Sequence, residues 1–187
     1  LFAKPHAAAI FEAAYDYGFL EFYLPNFADE WADEDCGPLM RKVLCKRDEL
    51  MAKGGYSDSR RLALATGAVI PVAMELAGEV KEGLWEHEEG IDNQIREIVE
   101  SVYFPLQLPK FVSSRARDVL MNLPRFFLDK GRKRLLAHPE YRYSREVLSL
   151  LVQVCNWSPD ILEPWPTHGT SKPRSNNNRR RKGRKKG

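Results

Sequence analysis

Residues 60–77 read RRLALATGAVIPVAMELA, and this stretch decides the fold. Ser57 or Asp58 is placed to cap a helix in which Leu62, Leu64, Ala65, Ala68, Val69, Val72 and Leu76 leave almost no polar face. A helix that is apolar nearly all round has to be enclosed by other elements, so it belongs at the centre of a bundle. Pro71 removes one backbone donor inside it, which predicts a kink or a break into two shorter helices.

Towards the N-terminus, Pro5 suits a first helical turn, and Ala8, Ile10, Phe11, Ala14 and Tyr15 follow at helical spacing until Gly18. A short apolar stretch, Phe19 to Leu24, ends at Pro25, and the acidic residues from Asp29 to Asp35 read as a connection. A second helix opens near Gly37 and Pro38, is lined by Leu39, Met40, Val43, Leu44, Leu50 and Met51, and stops at Gly54 and Gly55. Towards the C-terminus, an acidic linker from Glu79 to Glu89 leads to Ile91, Ile95, Ile98, Val99 and Val102, a fourth helix closed by Pro105 and Pro109. Ser113 or Ser114 is expected to cap a fifth helix running to Phe127 and distorted at Pro124. Gly131 restarts a short basic helix to Ala137, His138 and Pro139 form a turn, and Tyr143 or Ser144 begins a last helix through Val147, Leu148, Leu151, Val152 and Cys155.

No stretch alternates with period two, so the expected class is all-α, an irregular bundle of about six to eight helices. From Trp157 onward the pattern dissolves into prolines, asparagines and cations that cannot bury enough apolar area to offset chain entropy. The expected organisation is a helical body over residues 1–158 and a disordered basic tail over 159–187.

At 187 residues and 43% hydrophobic composition the chain suits one substantial core with a tail. No apolar run approaches the roughly 18 residues that span a bilayer, and no signal segment opens the chain, so a soluble, cytoplasmic location is expected. Cys36, Cys45 and Cys155 are odd in number and show no short C-x-x-C spacing, so neither a disulfide framework nor a zinc site is suggested, and they are expected as buried thiols. The chain opens on Leu1 with helical sequence already under way, and reads as a piece of something longer.

Charge is sorted along the sequence. Residues 1–109 hold 20 Asp and Glu against 10 Lys and Arg, a net of −10, whereas residues 110–146 hold 10 Lys and Arg against 4 acids, a net of +6. Residues 171–187 add nine Lys and Arg and no acid. The chain total of +3 therefore hides two basic regions. Local positive charge governs phosphate contact and counterion release, so these regions read as a surface for a polyanion.

The candidate contacts are Lys110, Arg115 and Arg117 near the start of the fifth helix, then Lys130, Arg132, Lys133 and Arg134, then Arg142 and Arg145. Arg115 and Arg117 are expected near a helix N-terminus, where free amides and the helix dipole already favour a phosphate. The tail contributes Arg179, Arg180, Arg181, Lys182, Arg184, Lys185 and Lys186 as a flexible polybasic arm. A solvated charged face is the competing reading for all of them; the scarcity of acids favours nucleic acid. Tyr141 and Tyr143, among these cations, are placed to stack on bases. Phe19, Phe22, Tyr23, Phe27 and Trp31 are expected to pack a helix corner, and Tyr103, Phe104 and Phe111 to lie in the core. The histidines are scattered, no metal or nucleotide motif is present, and Glu86-His87-Glu88-Glu89 reads as a solvated helix start.

The segment LPKFVSSRARDVLMNLPRFFLDKGRKRLLAHPEYR (108–142), followed by SREVLSLL and an arginine-rich end, resembles the C-terminal part of the bacterial poly(A) polymerase family. The shared order is P-K, R-D at the head of a helix, a basic helix after glycine, then H-P-x-Y-R. AIFEAAYDYGFLEFYLPNF near the start is similar to that family's helix and proline corner. The resemblance implies a polynucleotide adenylyltransferase that adds AMP from ATP to RNA 3′ ends. It also implies ATP and two magnesium ions bound by a head with Gly-Ser and Asp-x-Asp motifs. Those motifs are absent here, so no catalytic residue carries over and the fragment alone is expected to be inactive. The resemblance transfers only Lys110, Arg115, Arg117, Lys130, Arg132, Lys133 and Arg134, as RNA-backbone contacts. CCA-adding enzymes share the architecture but generally lack the basic extension after His138-Pro139. A helical adaptor with a basic solubilising tail, which binds an acidic protein partner or assembles multimers through its apolar helices, is the alternative from a different class.

Overall fold

The computed structural model describes residues 5–169 apart from His87 and Asp129. Within them the chain is all-α: α1 (Ala7–Asp16), α2 (Phe19–Tyr23), α3 (Pro25–Ala32), α4 (Cys36–Ala52), α5 (Arg60–Ala77), α6 (Ile91–Val102), α7 (Lys110–Met121), α8 (Arg132–Leu136) and α9 (Tyr141–Val154). Short 3₁₀ turns follow at Pro124–Phe127 and Pro159–Leu162.

The apolar stretch takes the expected central place. α5 packs against α4, α6, α7 and α9, and every residue from Leu62 to Ala73 is buried. Each large aliphatic side chain so enclosed contributes about 1.5–3 kcal/mol. The few polar groups among them are satisfied: Thr66 Oγ1 donates to the Leu62 carbonyl at 2.7 Å and lies 2.7 Å from the Tyr56 hydroxyl. Tyr103, as expected in the core, donates its hydroxyl to the Leu64 carbonyl at 2.7 Å. Pro71 breaks nothing. α5 runs through it, because burial on all sides outweighs the one missing backbone bond.

Other boundaries differ from expectation for local reasons. The acidic connection is itself helical: Pro25 occupies the first turn of α3, and Phe27, Ala28 and Trp31 give it a buried stripe that packs on Phe11. Ser57 does not cap α5. Its amide and hydroxyl donate to the Glu146 carboxylate at 2.9 and 2.7 Å, which ties the start of α5 to α9. α7 starts at Lys110, just after Pro109, and Ser113 Oγ donates back to the Lys110 carbonyl at 3.2 Å instead of capping.

The segment after Trp157, expected to begin the tail, is folded as far as Gly169. Trp165 is buried edge-on against Phe126, with ring centroids 4.9 Å apart, and Tyr141 donates its hydroxyl to the Pro166 carbonyl at 2.6 Å. Of the cysteines, Cys36 is buried as expected, Cys155 is half-buried and Cys45 is exposed. No helix among the described residues is long and apolar enough to cross a membrane.

Candidate nucleic-acid interface

The early start of α7 moves the two arginines expected at its tip. Arg115 and Arg117 lie beyond the first turn, where the free amides and the dipole no longer act, so the helix-terminus argument for them fails. They instead join a network that draws on α5, α7 and the head of α9. Arg115 lies 3.7 Å from Asp118 and 3.5 Å from Glu140, and Arg117 3.6 Å from Asp118. Arg61 reaches in from α5, 2.9 Å from Glu140, with its guanidinium 5.0 Å from the centre of the Tyr143 ring.

Glu140 is 1% exposed, and its Oε2 has no hydrogen-bond donor among the described residues. Burial pushes its carboxyl above the usual range, while Arg61 and Arg115 pull the other way. On α7, the Nε of Arg117 is likewise buried without an acceptor.

Behind these pairs sits His138. Asn122 Nδ2 lies 3.0 Å from His138 Nδ1 and donates to Ser144 Oγ at 3.2 Å. The Glu140 amide donates to the same Nδ1 at 3.1 Å. An amide nitrogen only donates, so Nδ1 accepts and the neutral ring carries its proton on Nε2. Burial lowers the His138 pKa, Asp118 opposes it, and Arg125, Arg115 and Arg134 reinforce it. Arg125 donates to Asn122 Oδ1 at 3.2 Å and is itself lowered by burial and by Arg134, against Asp118.

Five arginines, Arg61, Arg115, Arg117, Arg125 and Arg134, thus share a neighbourhood with two carboxylates, Asp118 and Glu140. Positive charge is in excess there. Lys110, Lys130, Lys133 and Arg134 are exposed at its margin, and among the described residues their side chains make no hydrogen bond or ion pair.

Three other expected contacts are structural. Arg132 donates to the Pro164 carbonyl and lies over the Trp165 ring at 5.4 Å. Arg145 donates to the Trp165 carbonyl at 2.7 Å. Arg142 pairs with Glu146 at 3.0 Å and donates to Ser57 Oγ at 2.9 Å. Together Arg132 and Arg145 fasten the 159–169 segment through the carbonyls of Pro164 and Trp165. Tyr141, expected to stack on bases, is buried, and Tyr143 is half-buried beneath Arg61. Arg179, Arg180, Arg181, Lys182, Arg184, Lys185 and Lys186 lie outside the described residues, as does His87 of the acidic run.

The aromatics divide differently from expectation. Phe27 and Trp31 pack the corner, stacked at 5.8 Å, but Tyr17, Phe19, Phe22 and Tyr23 are exposed, and so are Phe104 and Phe111. A depression of about 410 Å³ between α3, α5 and α6 is lined by Glu30, Glu75 and Glu97 and would repel a polyanion.

Arg61, Arg125 and His138 were missed as partners in this network. The available signal was Arg61 itself, a cation at the head of an otherwise apolar helix. Among the described residues no three His, Cys, Asp or Glu side chains are grouped to hold a metal, so the magnesium implied by the resemblance finds no ligand set among them and no catalytic step is derived. Comparison with known proteins adds no relative: no family model matches the chain, and neither a curated protein nor a solved structure matches it significantly.

Proposed function

We propose that this chain is the helical RNA-binding body of a polynucleotide adenylyltransferase, a cytoplasmic enzyme whose head adds AMP from ATP to RNA 3′ ends. The chain's own part is electrostatic. RNA phosphates lie along the surface formed by α7, the Pro124–Phe127 turn and α8, where Lys110, Lys130, Lys133 and Arg134 release counterions and the arginines behind them supply the field. Contact is to the backbone, so base identity matters little. The observation that supports this reading is the surplus of arginine over carboxylate around Asp118 and Glu140.

The test replaces Lys130, Lys133 and Arg134 together by Gln. None of the three has a structural partner among the described residues, so the fold is expected to survive. Affinity for single-stranded RNA is expected to fall for all sequences alike, and the salt slope to flatten by about 2. An unchanged dissociation constant overturns the assignment.

One observation favours a second reading, a protein adaptor: Tyr17, Phe19, Phe22 and Tyr23 present exposed rings. A complex that survives ribonuclease supports the adaptor, and one that ribonuclease abolishes supports the RNA-binding body.

A further inference from the structure

The connection between α6 and α7 and the first turn of α7 carry large apolar side chains that the fold leaves in water. Phe104 is 58% exposed, Leu106 50% and Phe111 66%. Exposed rings on either side of the junction between two packed helices mark a binding surface more often than an accident of packing. What surrounds them narrows the ligand. Arg115 lies over Phe111, its guanidinium carbon 5.5 Å from the ring centre. On the adjoining face of α7, Lys110, Ser113, Ser114 and Arg117 face Arg96 and Glu100 of α6 across a depression of about 300 Å³.

Helical periodicity places Lys110, Ser113, Ser114 and Arg117 on one strip of α7, with Phe111, Arg115 and Asp118 on the strip next to it. Cations and hydroxyls therefore line one side of a ledge, and an aromatic face lies along the other. Three cations against one carboxylate leave the depression positive. The buried Nε of Arg117 has no acceptor among the described residues.

We propose that Phe104 and Phe111, flanked by Lys110, Arg96 and Arg117, form a platform for single-stranded nucleic acid, on which unpaired bases stack while the sugar-phosphate backbone lies in the depression. A protein partner would account for the rings alone. A strand with free bases accounts for the rings and the cations together, because every base offers a π-face and every nucleotide a phosphate. A duplex keeps its bases stacked on each other and gives the rings nothing to hold. The platform thus selects strandedness, where the backbone contacts alone select only charge. This inference rests on the RNA-binding reading and adds a site to it.

The test uses the full chain and a short single-stranded RNA containing 2-aminopurine, whose fluorescence is quenched by stacking. Phe111→Ala is expected to lower affinity for the single strand about 5-fold or more, to reduce the fluorescence change, and to leave the salt slope unchanged, since no charge is removed. Phe104→Ala acts in the same direction, and Phe111→Trp restores binding. Both side chains are exposed, so loss of folding does not confuse the result. An abasic strand is expected to bind the unaltered chain more weakly, and to bind it and the Phe111→Ala chain equally.

If the alanine variants bind the intact strand as the unaltered chain does, while the Lys130, Lys133 and Arg134 replacements weaken it, the platform is overturned and the RNA-binding reading stands. If the unaltered chain binds no RNA, both fall. A ring substitution that changes the chain's self-association without changing RNA affinity assigns the ledge to a protein contact and overturns the proposal.

Discussion

His138 shows how a single side chain couples the basic surface to the fold. Its Nδ1 accepts from the Glu140 amide and from Asn122, so protonation there ends both contacts and adds a cation among Arg115, Arg125 and Arg134. Burial and those arginines hold the folded-state pKa below the ordinary 6.5. A basic group depressed on folding contributes stability that is complete above its unfolded pKa and is lost as the pH falls from there through the folded value. The melting temperature is therefore expected to fall on acidification from about pH 7.5 into the window below 6.5. His138→Gln should lessen that fall. Nitrogen NMR should find Nδ1 unprotonated at neutral pH; a titration above 6.5, or a protonated Nδ1, contradicts the arrangement. The His138-Pro139 turn was legible from its residue types, but the role of the ring was not, because its neighbours come from three other segments. Tyr141 misled for the same reason. Flanking cations suggested stacking, yet α9 begins at Tyr141 itself and turns the ring onto Phe126, with centroids 5.8 Å apart.

Among the elements, central α5, amphipathic α6 and basic α8 follow directly from the spacing of apolar residues and from their glycines and prolines. The starts of α7 and α9 do not. The residue types pointed to Ser113 or Ser114 as the cap of α7 and to Tyr143 or Ser144 as the start of α9, whereas the helices begin at Lys110 and Tyr141, and Ser144 is buried and donates to the Glu140 carbonyl at 3.0 Å. A shift of one turn at the head of α7 took Arg115 and Arg117 away from the helix tip and left Phe111 in solvent. By contrast, α8 depends on one backbone torsion. Gly131 precedes it at φ +88°, and a Cβ there would meet nothing within 4 Å, so only conformational strain penalises a side chain. Gly131→Ala is expected to cost about 1–2 kcal/mol in denaturant unfolding, and Gly131→Asn less. A neutral Gly131→Ala would mean that α8 is not held in this register.

At the scale of the whole molecule, the sorting of charge along the chain was plain in the sequence, but its neutralisation was not. Asp118 and Glu140 sit inside the basic region and engage Arg61, Arg115 and Arg117, which draws those cations partly into the fold. An acidic body with a basic end attracts RNA only as strongly as the charge left over allows. Asp118 is the informative handle. It is partly exposed and held by pairs at 3.6 and 3.7 Å, longer than a strong charge-assisted hydrogen bond, so its removal is expected to change stability by about 1 kcal/mol or less. Asp118→Asn keeps the shape, frees Arg115 and Arg117 from a competitor, and adds one unit of local positive charge. RNA affinity should then rise, and the salt slope should steepen by about 0.7 for a single strand if one more phosphate is engaged. Both quantities come from the same titration at several ionic strengths. If Asp118→Asn weakens binding at unchanged stability, the arginines of α7 serve the fold alone, and the phosphate path runs only over Lys130, Lys133 and Arg134.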